Sequence, residues 1–284
     1  MSKDSTNKPY LHEACYLLLW NGAGIALLFA GRFSVTDAWF LIPMIVCACL
    51  LTRYANKGKW LQARLWFPLI SLNATYTWLG NAIPRLRAWR ADDALCAVDR
   101  FLFGECLGLK MEPFLSYGAK EILSAFYFSF FLIWLGSLPL AARRRLEFQK
   151  AYFKGFHLLY ALGYIGYILV PACGPFRYAP IAEKIASLGS PVGPVWKLND
   201  AVIRSGCNGV DVFPSLHTAV TIFLLLSSYR VSKRLFLVML IPCLLIIIST
   251  IGLHYHYMAD LLAGAILSMA VWWNTVRKHT TQSA

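Results

Sequence analysis

From Leu235 to Gly252 the chain runs without one charged side chain, and long apolar stretches of this kind recur along its length. A helix of roughly 20 mostly apolar residues matches the hydrocarbon thickness of a bilayer. Eight such spans are predicted, near residues 12–31, 36–52, 61–83, 121–141, 151–171, 214–229, 235–252 and 257–276, the second and sixth being short. With 58% hydrophobic and 14% charged residues, no soluble core could absorb this much apolar sequence. The expected fold is therefore all-α, a polytopic membrane helical bundle of about eight spans, without a soluble domain, an internal repeat or a low-complexity tract. The first span lacks a small-residue cleavage site and is expected to be a retained helix rather than a signal peptide.

The net charge of +13 raises nucleic acid as a partner, but its distribution argues against one. The N-terminus, the 53–64 and 142–154 connections, the 230–234 turn and the C-terminal tail fall on one side of the predicted bundle. That side carries the whole excess of Lys and Arg, whereas bases and acids balance on the other. Cytoplasmic connections are enriched in Lys and Arg, so the basic side is placed in the cytoplasm and residues 180–205 outside it. Tyr76, Trp78 and Trp89 then fall near the outer interface and Trp272 and Trp273 near the inner one. Arg85, Arg87 and Arg90 read as interfacial anchors rather than head-group ligands, and Arg143, Arg144 and Arg145 as topology determinants. Asp92 to Phe103 carries Leu95, Val98 and Leu102 at helical spacing and is expected to lie along the interface.

The eight cysteines show no CxxC or finger-like spacing. Cys96, Cys106, Cys173 and Cys207 fall on the outer face, where two readings stand side by side: bridges Cys96–Cys106 and Cys173–Cys207 in an oxidising compartment, or free buried thiols.

Two polar islands interrupt the last three spans: Phe213-Pro214-Ser215-Leu216-His217-Thr218, and His254 through Asp260. A hairpin of two spans with a basic turn at Arg230, Lys233 and Arg234 separates them, so His217 and His256 return to one rim. Ionisable groups at membrane depth are costly and default to function. Pro214 suits the first turn of a helix, whose free N–H groups and dipole favour an anion such as phosphate. Ser215 adds a hydroxyl, and His217 can deliver or accept a proton. His256 and Asp260 share a helix face, which lets the carboxylate hold one imidazole nitrogen protonated and leave the other as nucleophile or base. Together these residues fit phosphoryl transfer through a phosphohistidine, with His256 attacking phosphorus and His217 protonating the leaving alkoxide. A lone histidine on an apolar face is more often a satisfied core residue; the joint spacing with the flanking Pro and Asp favours chemistry here. His254 reads as a supporting residue. A metal site from His254, His256 and Asp260 is disfavoured because residues two apart on a helix do not converge.

These segments resemble the type 2 phosphatidic acid phosphatase superfamily, and most closely its inositol phosphorylceramide synthase (inositolphosphotransferase) branch with its bacterial relatives. That branch has Phe-Pro-Ser-Leu-His, as at Phe213 to His217, and His-Tyr-x-x-Asp, as at His256, Tyr257 and Asp260. Asp99 to Gly104, Tyr164 to Tyr167 and Pro171 to Tyr178 extend the likeness. It implies a six-helix phosphatase-like catalytic core over residues 60–276, an N-terminal two-helix extension over 1–59 and a cytoplasmic tail at 277–284. It also implies His256 as nucleophile, Asp260 as its orienting group, His217 as acid, Ser215 in phosphate contact and Arg177 as the best remaining phosphate ligand.

One departure matters. The Ser-Arg pair that phosphatases of the superfamily carry ahead of the nucleophile falls here on Ser249 and Thr250. Losing a bidentate arginine hurts a doubly charged monoester more than a singly charged diester. The expected function is thus an integral membrane lipid phosphotransferase that cleaves a phospholipid and passes the phosphoryl head group to an alcohol at the extracytoplasmic face. Hydrolysis, with water as acceptor, is the alternative. No metal or organic cofactor is implied. A non-catalytic transporter or scaffold would need polar groups near the midplane of several spans, whereas here they gather at one rim.

Overall fold

The computed structural model describes residues 9–55, 58–189 and 192–279; the outer ends of the chain, including the expected tail beyond residue 279, lie outside the described residues. Twelve α-helices and no strand are present among them: α1 Leu11–Phe29, α2 Val35–Tyr54, α3 Gly58–Leu86, α4 Asp92–Phe103, α5 Leu107–Met111, α6 Tyr117–Ala142, α7 Leu146–Leu169, α8 Ala179–Ser187, α9 Pro194–Gly206, α10 Leu216–Val231, α11 Lys233–Gly252 and α12 Met258–Thr275. A 3-10 turn over Glu112–Phe114 follows α5.

The eight long helices coincide with the eight expected spans. Several begin on a polar side chain that accepts an otherwise unpaired N–H, as helix starts require: Ser116 accepts from Ala119 (3.2 Å), Ser215 from Thr218 (3.2 Å) and Ser232 from Leu235 (3.0 Å). Four helices, α1, α2, α6 and α11, are long and apolar enough to cross a membrane by themselves, and the chain is an integral membrane protein. α10 is apolar but shorter.

The most enclosed long helix, α7, is less apolar for a physical reason: it packs against α1, α3, α6, α10 and α12, so its neighbours are protein. There it can bury His157, which bonds the Leu65 carbonyl (3.1 Å), and Tyr164, which donates to the Leu72 carbonyl (2.9 Å).

Buried ion pairs fasten α1 and α2 to α3. Arg64 grips Glu13 with two nitrogens at 2.6 and 2.7 Å, and Arg85 grips Asp37 at 2.6 and 2.8 Å while Trp78 donates to the same carboxylate at 2.8 Å. α4 and α5 fill the connection from α3 to α6, and α8 and α9 that from α7 to α10. All four short helices therefore sit at the end where α10 and α12 begin, opposite the basic connections at Arg53, Arg143 to Arg145 and Lys233 to Arg234.

One expectation changes. The helix after Pro214 starts at Leu216, with Ser215 as its cap and Pro214 ahead of it in a cis peptide bond with Phe213. α4 keeps its expected amphipathic character, with Val98 and Leu102 exposed and Asp92, Leu95, Cys96 and Asp99 on the buried face.

Candidate active site

The two polar islands meet at the mouth of the bundle. Ser215 donates its backbone N–H to the Asp260 carbonyl (3.0 Å), tying the start of α10 to the first turn of α12. α10 lies close because α7 offers glycines there: a Cβ on Gly163 would meet Leu216 at 2.5 Å, and one on Gly166 would meet Pro214 at 2.3 Å.

His256 lies in the short link between α11 and α12 and is buried. Its Nδ1 is 3.3 Å from Asp260 Oδ2 and its Nε2 is 3.3 Å from Ser215 Oγ. Asp260, fully buried, also accepts the Tyr257 N–H at 2.9 Å, which fixes the carboxylate's direction. An Nδ1–H held by Asp260 leaves the Nε2 lone pair facing Ser215 and the cavity. Burial pulls His256 down to about 4, against the raising influence of Asp211, so its imidazole is neutral near neutral pH.

His217 stands across from it, ring centroids 6.1 Å apart. Its ring is stacked on Tyr127 at 4.8 Å and flanked by Phe130 at 4.5 Å, and its Nε2 has no partner in the protein. His217, His256 and Leu216 line a cavity of about 390 Å³, within the range of small-molecule sites.

The segment carrying His256 is held from below. The Thr250 carbonyl accepts the N–H groups of both Tyr255 (2.9 Å) and His256 (3.1 Å), while its hydroxyl turns back to the Ile247 carbonyl at 2.7 Å. Thr250 is fully buried and does not line the cavity, so it supports through its backbone.

Two acids of α4 hold the same segment, a role the sequence did not assign to either, although Asp99 opens one of the segments that carry the resemblance. Asp92 accepts from the Cys173 N–H (3.0 Å), the Gly174 N–H (2.9 Å) and the Tyr257 hydroxyl (3.0 Å). Asp99 accepts from the Met258 N–H (2.9 Å) and the Leu107 N–H (3.2 Å). The available signal was spacing: Asp92 and Asp99 lie on one helix face with Leu95 and Cys96, so the acids point inward with the apolar residues.

His254 does not line the cavity shared by His217 and His256. It adopts a left-handed backbone (φ 63°), bonds Glu112 at 3.0 Å, and Glu112 is ion-paired with buried Lys120. This group lines a second cavity, also about 390 Å³, which shares Phe176 and Tyr255 with the first.

Arg177 is placed elsewhere than expected for a phosphate ligand. Its guanidinium donates to the Cys207 carbonyl (3.1 Å) and the Arg204 carbonyl (3.0 Å), strapping the end of α9, and it does not line the histidine cavity. Arginine is drawn there by the exposed carbonyls at a helix C-terminus.

The eight cysteines are free thiols in this structure, without the Cys96–Cys106 and Cys173–Cys207 bridges. Cys207 donates to Asp211 at 3.1 Å, and Cys173 faces the Gly174 carbonyl at 3.9 Å. Cys96 accepts from Arg100 at 3.3 Å, and both Cys96 and Cys106 are buried. No cluster of His, Cys, Asp or Glu suited to a metal occurs among the described residues.

A family model described as the PAP2 superfamily matches residues 93–274, well over half of the chain and including both histidine segments. No curated protein and no solved structure matches. The chain belongs to the PAP2 superfamily, and so is an enzyme of the phosphatase and phosphotransferase kind acting on lipid phosphates in a membrane.

Proposed function

We propose that this PAP2 superfamily member is a lipid phosphotransferase working through a phosphohistidine on His256. The observation that carries the reading is the His256 imidazole held between Asp260 and Ser215, with the second imidazole of His217 facing it across the cavity. In the first step His256 Nε2 attacks the phosphorus of a phospholipid and a P–N bond forms. The P–O bond to the diacylglycerol oxygen breaks, and His217 gives that oxygen a proton. In the second step His217 takes the proton of an acceptor alcohol, whose oxygen attacks phosphorus as the P–N bond breaks. The hydroxyl of Ser215 and the first N–H groups of α10 receive the phosphate oxygens, as a helix start does.

Transfer is favoured over hydrolysis by the charge around the site. Position 250 presents a buried threonine, Arg177 is turned to carbonyls, and among the described residues no Lys or Arg lines the cavity. Such a site suits a singly charged diester better than a dianionic monoester. The likeness of both islands to the inositol phosphorylceramide synthase branch supports the same reading. Residues 60–276 form the catalytic core in this proposal and residues 1–59 an added pair of helices. The basic connections lie in the cytoplasm and the histidines on the extracytoplasmic face.

The test is a competition assay on purified protein in lipid, following inorganic phosphate and transferred head group together. Transfer from a phospholipid to an alcohol should outrun phosphate release from phosphatidic acid. Rapid phosphate release with every diester ignored would leave hydrolysis, with water as acceptor, as the activity.

A further inference from the structure

The cavity beside the two histidines has a lining that the phosphoryl chemistry does not require. Rings from α3, α6 and α7 line it, among them Tyr76, Phe131, Tyr160 and Tyr167, with Tyr127 and Phe130 packed against His217. One carboxylate, Asp211, completes the wall. Its oxygens accept from the Tyr76 hydroxyl, from Cys207 Sγ at 3.1 Å and from the Val210 N–H at 3.2 Å. Those bonds fix the carboxylate without supplying a positive charge, and no Lys or Arg lines the cavity among the described residues.

Resting on the phosphotransferase reading above, we propose that this aromatic cavity with Asp211 binds the alkylammonium end of the donor's head group, so that the donor is a choline- or ethanolamine-type phospholipid. Aromatic faces attract organic cations, and quaternary ammonium groups are held in this way. A carboxylate among the rings adds a direct counter-charge. The other occupants fit less well. An acyl chain would leave the Asp211 charge beside apolar groups with hydrogen bonds but no counter-charge. A glycerol or inositol head group offers no cation to the ring faces. A zwitterionic head group places its phosphate at His256 and its ammonium toward Asp211, each against its complement. The resemblance to the inositol-transferring branch concerns the two histidine segments and not this wall.

Two experiments test the proposal. In the first, purified protein in bilayer discs with one common alcohol acceptor is offered phosphatidylcholine, phosphatidylethanolamine, phosphatidylglycerol and phosphatidylinositol separately, and diacylglycerol release is followed. The choline or ethanolamine lipid should turn over about 10-fold faster or more than the other two. Which of these two leads identifies a quaternary or a primary ammonium. Asp211→Asn should remove most of the preference and Asp211→Glu keep it.

In the second, phosphocholine binding to the His256→Ala protein is measured by calorimetry, where no turnover is needed. Binding should be present there and fall about 10-fold when Asp211→Asn is added. If Asp211→Asn fails to fold, Phe131→Leu and the donor panel on the unmodified protein decide instead. Faster release from phosphatidylglycerol or phosphatidylinositol, still abolished by His256→Ala, overturns the head-group assignment and leaves the catalytic reading intact. Asp211-dependent phosphocholine binding without turnover of any donor has the opposite meaning: the cation cavity stands and the transferase reading fails.

Discussion

Replacing Asp92 by alanine should damage the enzyme although Asp92 touches neither reactive imidazole. Its buried carboxylate receives three donors, the N–H groups of Cys173 and Gly174 and the hydroxyl of Tyr257, at 2.9 to 3.0 Å in the shorter contacts. Hydrogen bonds to a charged group are worth about 1.5–3 kcal/mol each, and three at the low end give about 4.5 kcal/mol. Water entering the opened space lowers this to about 3–4 kcal/mol, a large part of a typical folding stability of about 5–15 kcal/mol. The expected fall in melting temperature is about 10 °C. Tyr257 follows His256 directly, so a released Tyr257 shifts the imidazole, and a displacement of about 1 Å costs on the order of 100-fold in rate. Asp92→Asn keeps one acceptor oxygen and should recover much of both losses. The assay is thermal unfolding of the detergent-purified protein beside lipid turnover at saturating donor. An Asp92→Ala protein with unchanged melting and unchanged turnover would refute the claim that α4 holds the reactive segment.

Other outcomes follow from the same geometry. His256→Ala should lower turnover by about 100-fold or more and abolish any phosphoenzyme trapped by alkaline quench. His217→Ala should lose a similar factor with a lipid alkoxide leaving group but recover with a nitrophenyl phosphodiester, which needs no proton. Because burial holds His256 near 4, phosphoenzyme formation measured in single turnovers should stay high through pH 6 and fall only as pH approaches about 4; a midpoint near the ordinary histidine value would contradict that environment. Burial also raises Cys106 and Cys173 to about 12, so alkylation in the folded state at pH 8 should be slow, and after unfolding both should label fully without a reductant. A cysteine placed at Ser232 on a cysteine-free background should resist an impermeant reagent in intact cells, and ready labelling would reverse the proposed orientation.

The spans were legible because lipid imposes a one-dimensional rule: a run such as Leu235 to Gly252 has few alternatives to a membrane helix. α7 was legible from its length, but its place at the centre was not, since nothing in the order of Phe153, Phe156 and His157 says which helices surround them. The pairing of His256 with Asp260 could be read because both sit within one local segment. Arg177 could not be placed, because its partners are the Arg204 and Cys207 carbonyls and depend on how α9 ends. Asp92 and Asp99 were hidden by their charge. Acids at the start of an amphipathic helix ordinarily face water, and only the folded chain shows the unpaired N–H groups of residues 173, 174 and 258 waiting for them. Asp211 drew no attention in the sequence, and its importance lies in the rings that other spans bring around it.

Gly163 and Gly166 bring a consequence for how variants of this enzyme are interpreted. The seat of α10, and with it of His217, depends in part on how closely it packs against α7, which contributes no reactive group to the pair. A methyl group added at residue 166 would press on Pro214 and move the start of α10, which is proposed to receive phosphate, while the proposed reactive side chains stayed chemically intact. An inventory confined to reactive residues would score such a change as a remote core lesion. A folded protein that binds lipid and reacts slowly would be its signature, which makes α7 the gauge that sets the width of the reaction chamber.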